Sequence, residues 1–133
     1  MRAIGFFTLY CMEINMSKMP ELISLLFEAR NQAHILHLKT KSYAQHVALG
    51  GYYDSLVGFA DSLAENYQGR YGIITNYPKV TLKATDPSDL VEQVRSWIDK
   101  NRKAVCKESE IQNIIDEVVS LHNTTLYKLK NLF

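Results

Sequence analysis

The sequence predicts an all-α protein, a four-helix bundle with a long crossover between its second and third helices. Two observations carry this. Apolar residues recur at three- and four-residue steps in four separate stretches, the period of a helix that buries one face. Between the second and third stretches lie residues 69–86, GRYGIITNYPKVTLKATD, which have no helical period. With 133 residues the chain can bury one core without disulfides or a structural metal. Its 47% hydrophobic and 22% charged content is that of an ordinary globular domain and not of a disordered chain.

Residues 1–19 are expected to be an N-terminal extension, in part non-native, ahead of the bundle at residues 20–133. The opening MRAIGFFTLYCMEINMSK sets one basic residue before a short apolar run but lacks the small-residue cleavage site of a signal peptide. Met12 and Met16 are alternative starts. Pro20 suits a first helical turn. Leu22, Leu26, Ala29, Ala33 and Leu36 then form one apolar stripe. Ile23 and Phe27 form a second, which continues into His34 and His37 and places both on a face that otherwise looks inward.

The break Lys39-Thr40-Lys41-Ser42 offers Thr40 or Ser42 as the cap of a second helix. This helix is expected from Tyr43 to Tyr67, with Leu49, Tyr53, Leu56, Ala60, Leu63 and Tyr67 inside and Gly69 as its stop. His46, Gly50, Asp54, Asp61 and Glu65 run along a neighbouring face. In the crossover Val80, Leu82 and Ala84 alternate with polar residues, a short extended piece. Thr85-Asp86-Pro87-Ser88-Asp89 starts a third helix with a cap, a first-turn proline and an early carboxylate. Leu90, Val91, Val94, Trp97 and Ile98 share one side of it. A fourth helix begins near Glu108 and carries Ile111, Ile114, Ile115, Val118, Leu121, Thr125, Leu129 and Leu132, with His122 among them. One long connection between two helical hairpins is the ferritin-like arrangement.

Several function classes are disfavoured. The net charge is +1, from 15 basic and 14 acidic side chains, and no dense basic patch marks a nucleic-acid surface. Lys100, Arg102 and Lys103, like Lys128 and Lys130, read as solvated helix faces. Cys11 and Cys106 are isolated, which indicates neither a disulfide framework nor a zinc site and fits a reducing cytoplasm. No apolar run reaches the roughly 18–20 residues of a membrane span.

Three of the four histidines and an acidic pair one helical turn apart fall within residues 34–65. No glutamate has a histidine three residues later, which argues against the di-iron centre that ferritin-like bundles build inside one subunit. His34, His46, Asp61 and Glu65 nevertheless have a familiar spacing. The second histidine lies 12 residues after the first, the aspartate 27 and the glutamate 31, and the segment ADSLAE ends the series. In this the chain resembles the Dps family, the starvation-induced mini-ferritins, with their D-x-x-A-E segment. The likeness is detailed over residues 20–68 and architectural beyond. The chain is also similar to small, uncharacterised ferritin-like proteins of tailed phages, for which the location would be the host cytoplasm.

The resemblance implies that His34 and His46 of one subunit face Asp61 and Glu65 of its two-fold neighbour. Iron, as a di-iron or mono-iron site, would then be bound and oxidised between subunits of a dimer or a hollow dodecamer. Imidazole nitrogen and carboxylate oxygen suit Fe(II). The chain departs from the family at Gly50, where an aspartate is usual, with Asp54 as an accessory carboxylate one turn on. It also departs at Ile35, where a tryptophan is usual, and in lacking a lysine-rich tail. His37 is either a further ligand or a cap for the carbonyls that end the first helix. Gly50–Gly51, costly inside a helix, suggests close approach of another helix. A second reading keeps the same bundle with a vestigial metal site, used as a protein-interaction or regulatory module.

Overall fold

The structure, a computed structural model, describes residues 17–133. Most of the expected extension at residues 1–19, with Cys11, Met12 and Met16, lies outside the described residues. Within them the protein is all-helical: α1 Met19–Lys39, α2 Tyr43–Tyr71, α3 Pro87–Val105 and α4 Ser109–Asn131.

The start signals work as the chain suggests. Pro20 sits in the first turn of α1. Ser42 caps α2, its side chain accepting from the Gln45 amide at 3.2 Å. Ahead of α3 the capping is reciprocal. Asp86 accepts from the Asp89 amide and the Asp89 carboxylate accepts from the Thr85 amide, both at 2.9 Å. That backbone hydrogen bond from Thr85 holds the Asp89 carboxyl below its ordinary range. The end of α2 differs from expectation. Gly69 lies inside the helix, and Gly72 ends it at φ +96°, a conformation that glycine adopts without a Cβ penalty. The extra turn is held by Tyr71, whose ring lies 4.8 Å from Tyr67 and whose hydroxyl bonds to Glu108 at the cap of α4.

Packing fixes the connectivity. α1 packs on α2 and α3, and α4 packs on the same two. Tyr52 meets His122 and Tyr71 meets Glu108, so α2 and α4 are antiparallel. Arg102 reaches Gln112, and Arg95 reaches Asn123, so α3 and α4 are antiparallel too. α2 and α3 therefore run the same way, on a diagonal, and residues 72–86 must climb the full bundle between them. They do so over the α1–α3 side. Gln32 of α1 and Gln93 of α3 bond the carbonyls of Leu82 and Lys83 at 2.8 and 2.9 Å. Val80, Leu82 and Ala84 point inward in alternation, half-buried, without a strand partner.

The core is almost wholly aliphatic, with Leu22, Leu26, Leu49, Leu56, Leu63, Leu90, Ile98 and Ile115 essentially inaccessible. Tyr52 takes the inward place expected of Tyr53, which is half-buried on the flank. The reason is a partner on the facing helix. His122 is fully buried, and its Nδ1 lies 2.7 Å from the Val118 carbonyl. A carbonyl only accepts, so Nδ1 carries the proton and Nε2 accepts from the Tyr52 hydroxyl at 2.8 Å. Every polar atom of the pair is satisfied. Burial lowers the His122 pKa from 6.5 to about 4 and pushes the Tyr52 phenol above its ordinary range.

The unfolded chain protonates His122 near its ordinary value, while the folded chain resists protonation until about pH 4. The unfolded state thus binds more protons across that window, and stability falls as pH falls through it, by about 3 kcal/mol. Urea unfolding at a series of pH values should show this loss. The double substitution Tyr52→Phe with His122→Leu, which removes both polar partners together, should flatten the same window.

Candidate functional site

α1 and α2 are joined by only residues 40–42, and the joint is densely bonded. The Thr40 hydroxyl donates to Gln45 Oε1 at 2.7 Å and accepts from the Ser42 amide at 3.1 Å. Above it two histidines cross. His37 Nδ1 lies 2.6 Å from the His46 carbonyl, and His46 Nδ1 lies 2.9 Å from the His37 carbonyl. Both acceptors are carbonyls, so both rings carry their proton on Nδ1. The rings stack at 3.6 Å between centroids, 18° from parallel.

Each bond has a local cause. The His37 carbonyl lies in the last turn of α1, where no amide follows to pair it, and His46 supplies the missing donor. The His46 carbonyl already accepts from the Gly50 amide by helix geometry, and His37 takes its second lone pair. To reach that oxygen the His37 ring must lie across residue 50. A Cβ there would meet His37 Cε1 at 3.2 Å and Nδ1 at 3.4 Å. Gly50 is thus explained by the neighbouring helix, while nothing lies within 4 Å of a Cβ at Gly51.

The stack continues along the hairpin. The His34 ring lies flat on Tyr53, 4.1 Å between centroids at 11°, and His37 meets the same tyrosine edge-on at 5.2 Å. The Arg30 guanidinium is 5.4 Å from the Tyr53 centroid, within cation–π range. His37 stands between the two expected ligands, 6.0 Å from His34 and 3.6 Å from His46. All three histidines are half-buried on the outer α1–α2 flank and not in the core.

Asp54, Asp61 and Glu65 are exposed on the same flank and have no hydrogen bond or ion pair among the described residues. His46 and Asp61 are 15 positions apart on one helix, about 22 Å at 1.5 Å per residue. Within one chain, therefore, the nitrogen and oxygen candidates do not converge. Among the described residues no group of three or more His, Cys, Asp or Glu is placed to hold a metal ion. What they share is a face. Val47, Gly51, Asp54, Gly58, Asp61 and Glu65 form one row at helical steps, with Phe27, His34 and Leu38 beside them on α1. Phe27, Leu38, Val47 and Val57 are exposed there, and no other described segment covers them.

The profile of one protein family matches residues 37–129, from His37 of the crossed pair almost to the end of α4. The chain belongs to the DUF5856 family, a family of unknown function. Neither the curated proteins nor the solved structures include a match to it. In this DUF5856 chain the crossed pair was not anticipated as such. Its signal was present in a costly mid-helix glycine four residues after one histidine, with a second histidine across a three-residue turn.

Gly50→Ala should test that account. The gain in helix propensity, up to about 1 kcal/mol, is opposed by the contact with His37, so the substitution is expected to be neutral or destabilising. Gly69→Ala, with open space above it, should stabilise by about 0.5–1 kcal/mol. In a His37→Ala background Gly50→Ala should become stabilising as well. A double-mutant cycle by urea denaturation measures the coupling, and an additive cycle would sink the explanation.

Proposed function

We propose that this protein is a ferritin-like, Dps-like iron-binding protein that oxidises Fe(II) at a site shared by two copies of the chain. The observation that carries the reading is the placement of its candidates. His46 sits at one end of an uncovered face, with Asp61 and Glu65 about 22 Å or more along it, and His34 stacks on Tyr53 between them. Two copies pairing antiparallel about a two-fold axis would bring the histidines of each against the carboxylates of the other, twice. An isologous contact repeats every pairing in this way. The up-down-down-up order with a single long crossover supports the ferritin-like assignment.

Iron enters this scheme as substrate. Neutral imidazole and carboxylate together bind Fe(II) while leaving coordination positions open for an oxidant. Each Fe(II) gives up one electron, so hydrogen peroxide, with two protons, takes two Fe(II) to two Fe(III) and leaves two waters. Gly50 provides no ligand. The nitrogen side of the site is then histidine alone, and Asp54 is the nearest carboxylate that could supplement it.

A second reading is favoured by the crossed pair. His37 and His46 both spend a ring nitrogen on fastening the hairpin, and apolar Phe27, Leu38, Val47 and Val57 share the flank. A bundle with a vestigial site, docking another protein through that face, would have the same features.

Subunit mixing separates the two. Anaerobic Fe(II) titration of the wild type should show saturable binding, lost in His46→Ala and in Asp61→Asn/Glu65→Gln. Co-refolding these two inactive variants should restore about a quarter of the sites, because about half the dimers are mixed and each mixed dimer has one intact site. Recovery of none, with the wild type binding no better than the variants, would leave the docking reading.

A further inference from the structure

We propose that His37 is a positioning residue for His46: its ring holds the His46 ring in place, while the residue-37 carbonyl holds it as the tautomer whose Nε2 is free to bind metal. The inference rests on the iron reading for its purpose and on the hairpin geometry for its existence.

A metal-binding histidine has two requirements. One ring nitrogen must offer a lone pair, and the other is generally held by a second partner that fixes tautomer and ring orientation. Residue 37 supplies both parts of that hold. Its carbonyl accepts from His46 Nδ1 at 2.9 Å, which puts the proton on Nδ1 and the lone pair on Nε2. Its ring stacks on His46 at 3.6 Å and is itself anchored to the His46 carbonyl at 2.6 Å. The ring of His46 is thus restrained both in its plane and across it. Its Nε2 has no hydrogen-bond partner among the described residues.

Gly50 gains a different meaning in this light. A carboxylate at residue 50 would need a Cβ where His37 Cε1 and Nδ1 already lie at 3.2 and 3.4 Å. A side chain at residue 50 would require the His37 ring to give by a few tenths of an ångström. A carboxylate at residue 50 and the His37 ring would crowd each other, and this chain has the imidazole. The ring that crowds residue 50 is the same ring that stacks on His46.

The test uses metal-free protein first. Nitrogen-15 NMR of the histidine rings should show His37 and His46 with Nδ1 protonated and Nε2 bare, the minor tautomer of free imidazole side chains. In His37→Ala, with helicity checked by circular dichroism, the residue-37 carbonyl remains, so His46 should stay protonated on Nδ1 while its ring signals broaden as the stacked ring and its anchor are lost. Anaerobic Fe(II) affinity should then fall by roughly 10–100-fold, the usual consequence of losing a partner that orients a metal-binding histidine. His37→Asn, whose side-chain amide can donate near the position of Nδ1, should recover part of that affinity, whereas no recovery is expected if His37 were a ligand. A His46 found protonated on Nε2 in the wild type overturns the proposal at once. So does unchanged Fe(II) affinity in His37→Ala. A locked His46 in a wild type that binds no Fe(II) overturns the iron reading, and with it the metal-positioning role.

Discussion

The parallel course of α2 and α3 is the constraint from which the rest of the architecture follows. Helices joined by short turns are antiparallel, and α1–α2 and α3–α4 obey this. Two such hairpins can be set against each other so that α2 and α3 are parallel only if the link between them returns along the whole bundle. Residues 72–86 are that link. They bury Ile74 and half-bury Val80, Leu82 and Ala84, and glutamines on α1 and α3 hold their carbonyls. Because the link occupies the α1–α3 side, the α1–α2 flank is left without cover from any described segment. The candidate site lies on that flank, so its accessibility is a consequence of topology.

On the flank the protein solves a problem common to helix ends and gains an ordered histidine in doing so. The last carbonyls of α1 lack intrahelical partners, and a three-residue turn leaves little chain to provide them. His46 provides one donor from the next helix and His37 returns another. A pair of this kind is demanding. It requires two imidazoles nine positions apart, both with the proton on Nδ1, and a glycine at residue 50 to clear the space. Three unrelated positions in the sequence are thereby coupled, which a purely apolar contact would not have needed. Tyr52 and His122 repeat the logic in the core, where a phenol and an imidazole satisfy each other completely.

Element boundaries and the apolar stripes were legible because they depend on local chemistry. Ser42, Asp86 and Pro87 act within one turn of themselves, and Leu56 or Val94 need only a helical period to be placed inside. What was not legible depended on the facing helix. Tyr52 and Tyr53 differ by 100° around α2, too little for periodicity to choose between them, and His122 on α4 decides. Gly69 and Gly72 are both plausible stops, and the contacts of Tyr71 with Tyr67 and Glu108 select the later one. The glycine at residue 50 reads as a missing ligand or a helix contact until the His37 ring is placed over it. The candidates themselves were placed on the correct helices, but the separation of about 22 Å between His46 and Asp61 is a property of length along α2 that spacing alone already contained.

The distribution of charge along the flank bears on how two copies could meet there. Between Tyr43 and Gly69 the charged residues of α2 are Asp54, Asp61 and Glu65, all toward its middle and far end. The near end has His46 and lies beside His37, Lys39 and Lys41 of α1 and the turn, while Arg30 and His34 lie over Tyr53, next to Asp54. A face that is acidic at one end and basic or titratable at the other is self-complementary only when two copies are antiparallel. In the parallel arrangement carboxylate meets carboxylate, and like charges brought together from water into a contact are costly. Apolar Phe27, Leu38, Val47 and Val57 supply area to such a contact without preferring either direction. Orientation therefore falls to the charges, and the orientation they favour is the one that would bring imidazole and carboxylate within reach of one ion.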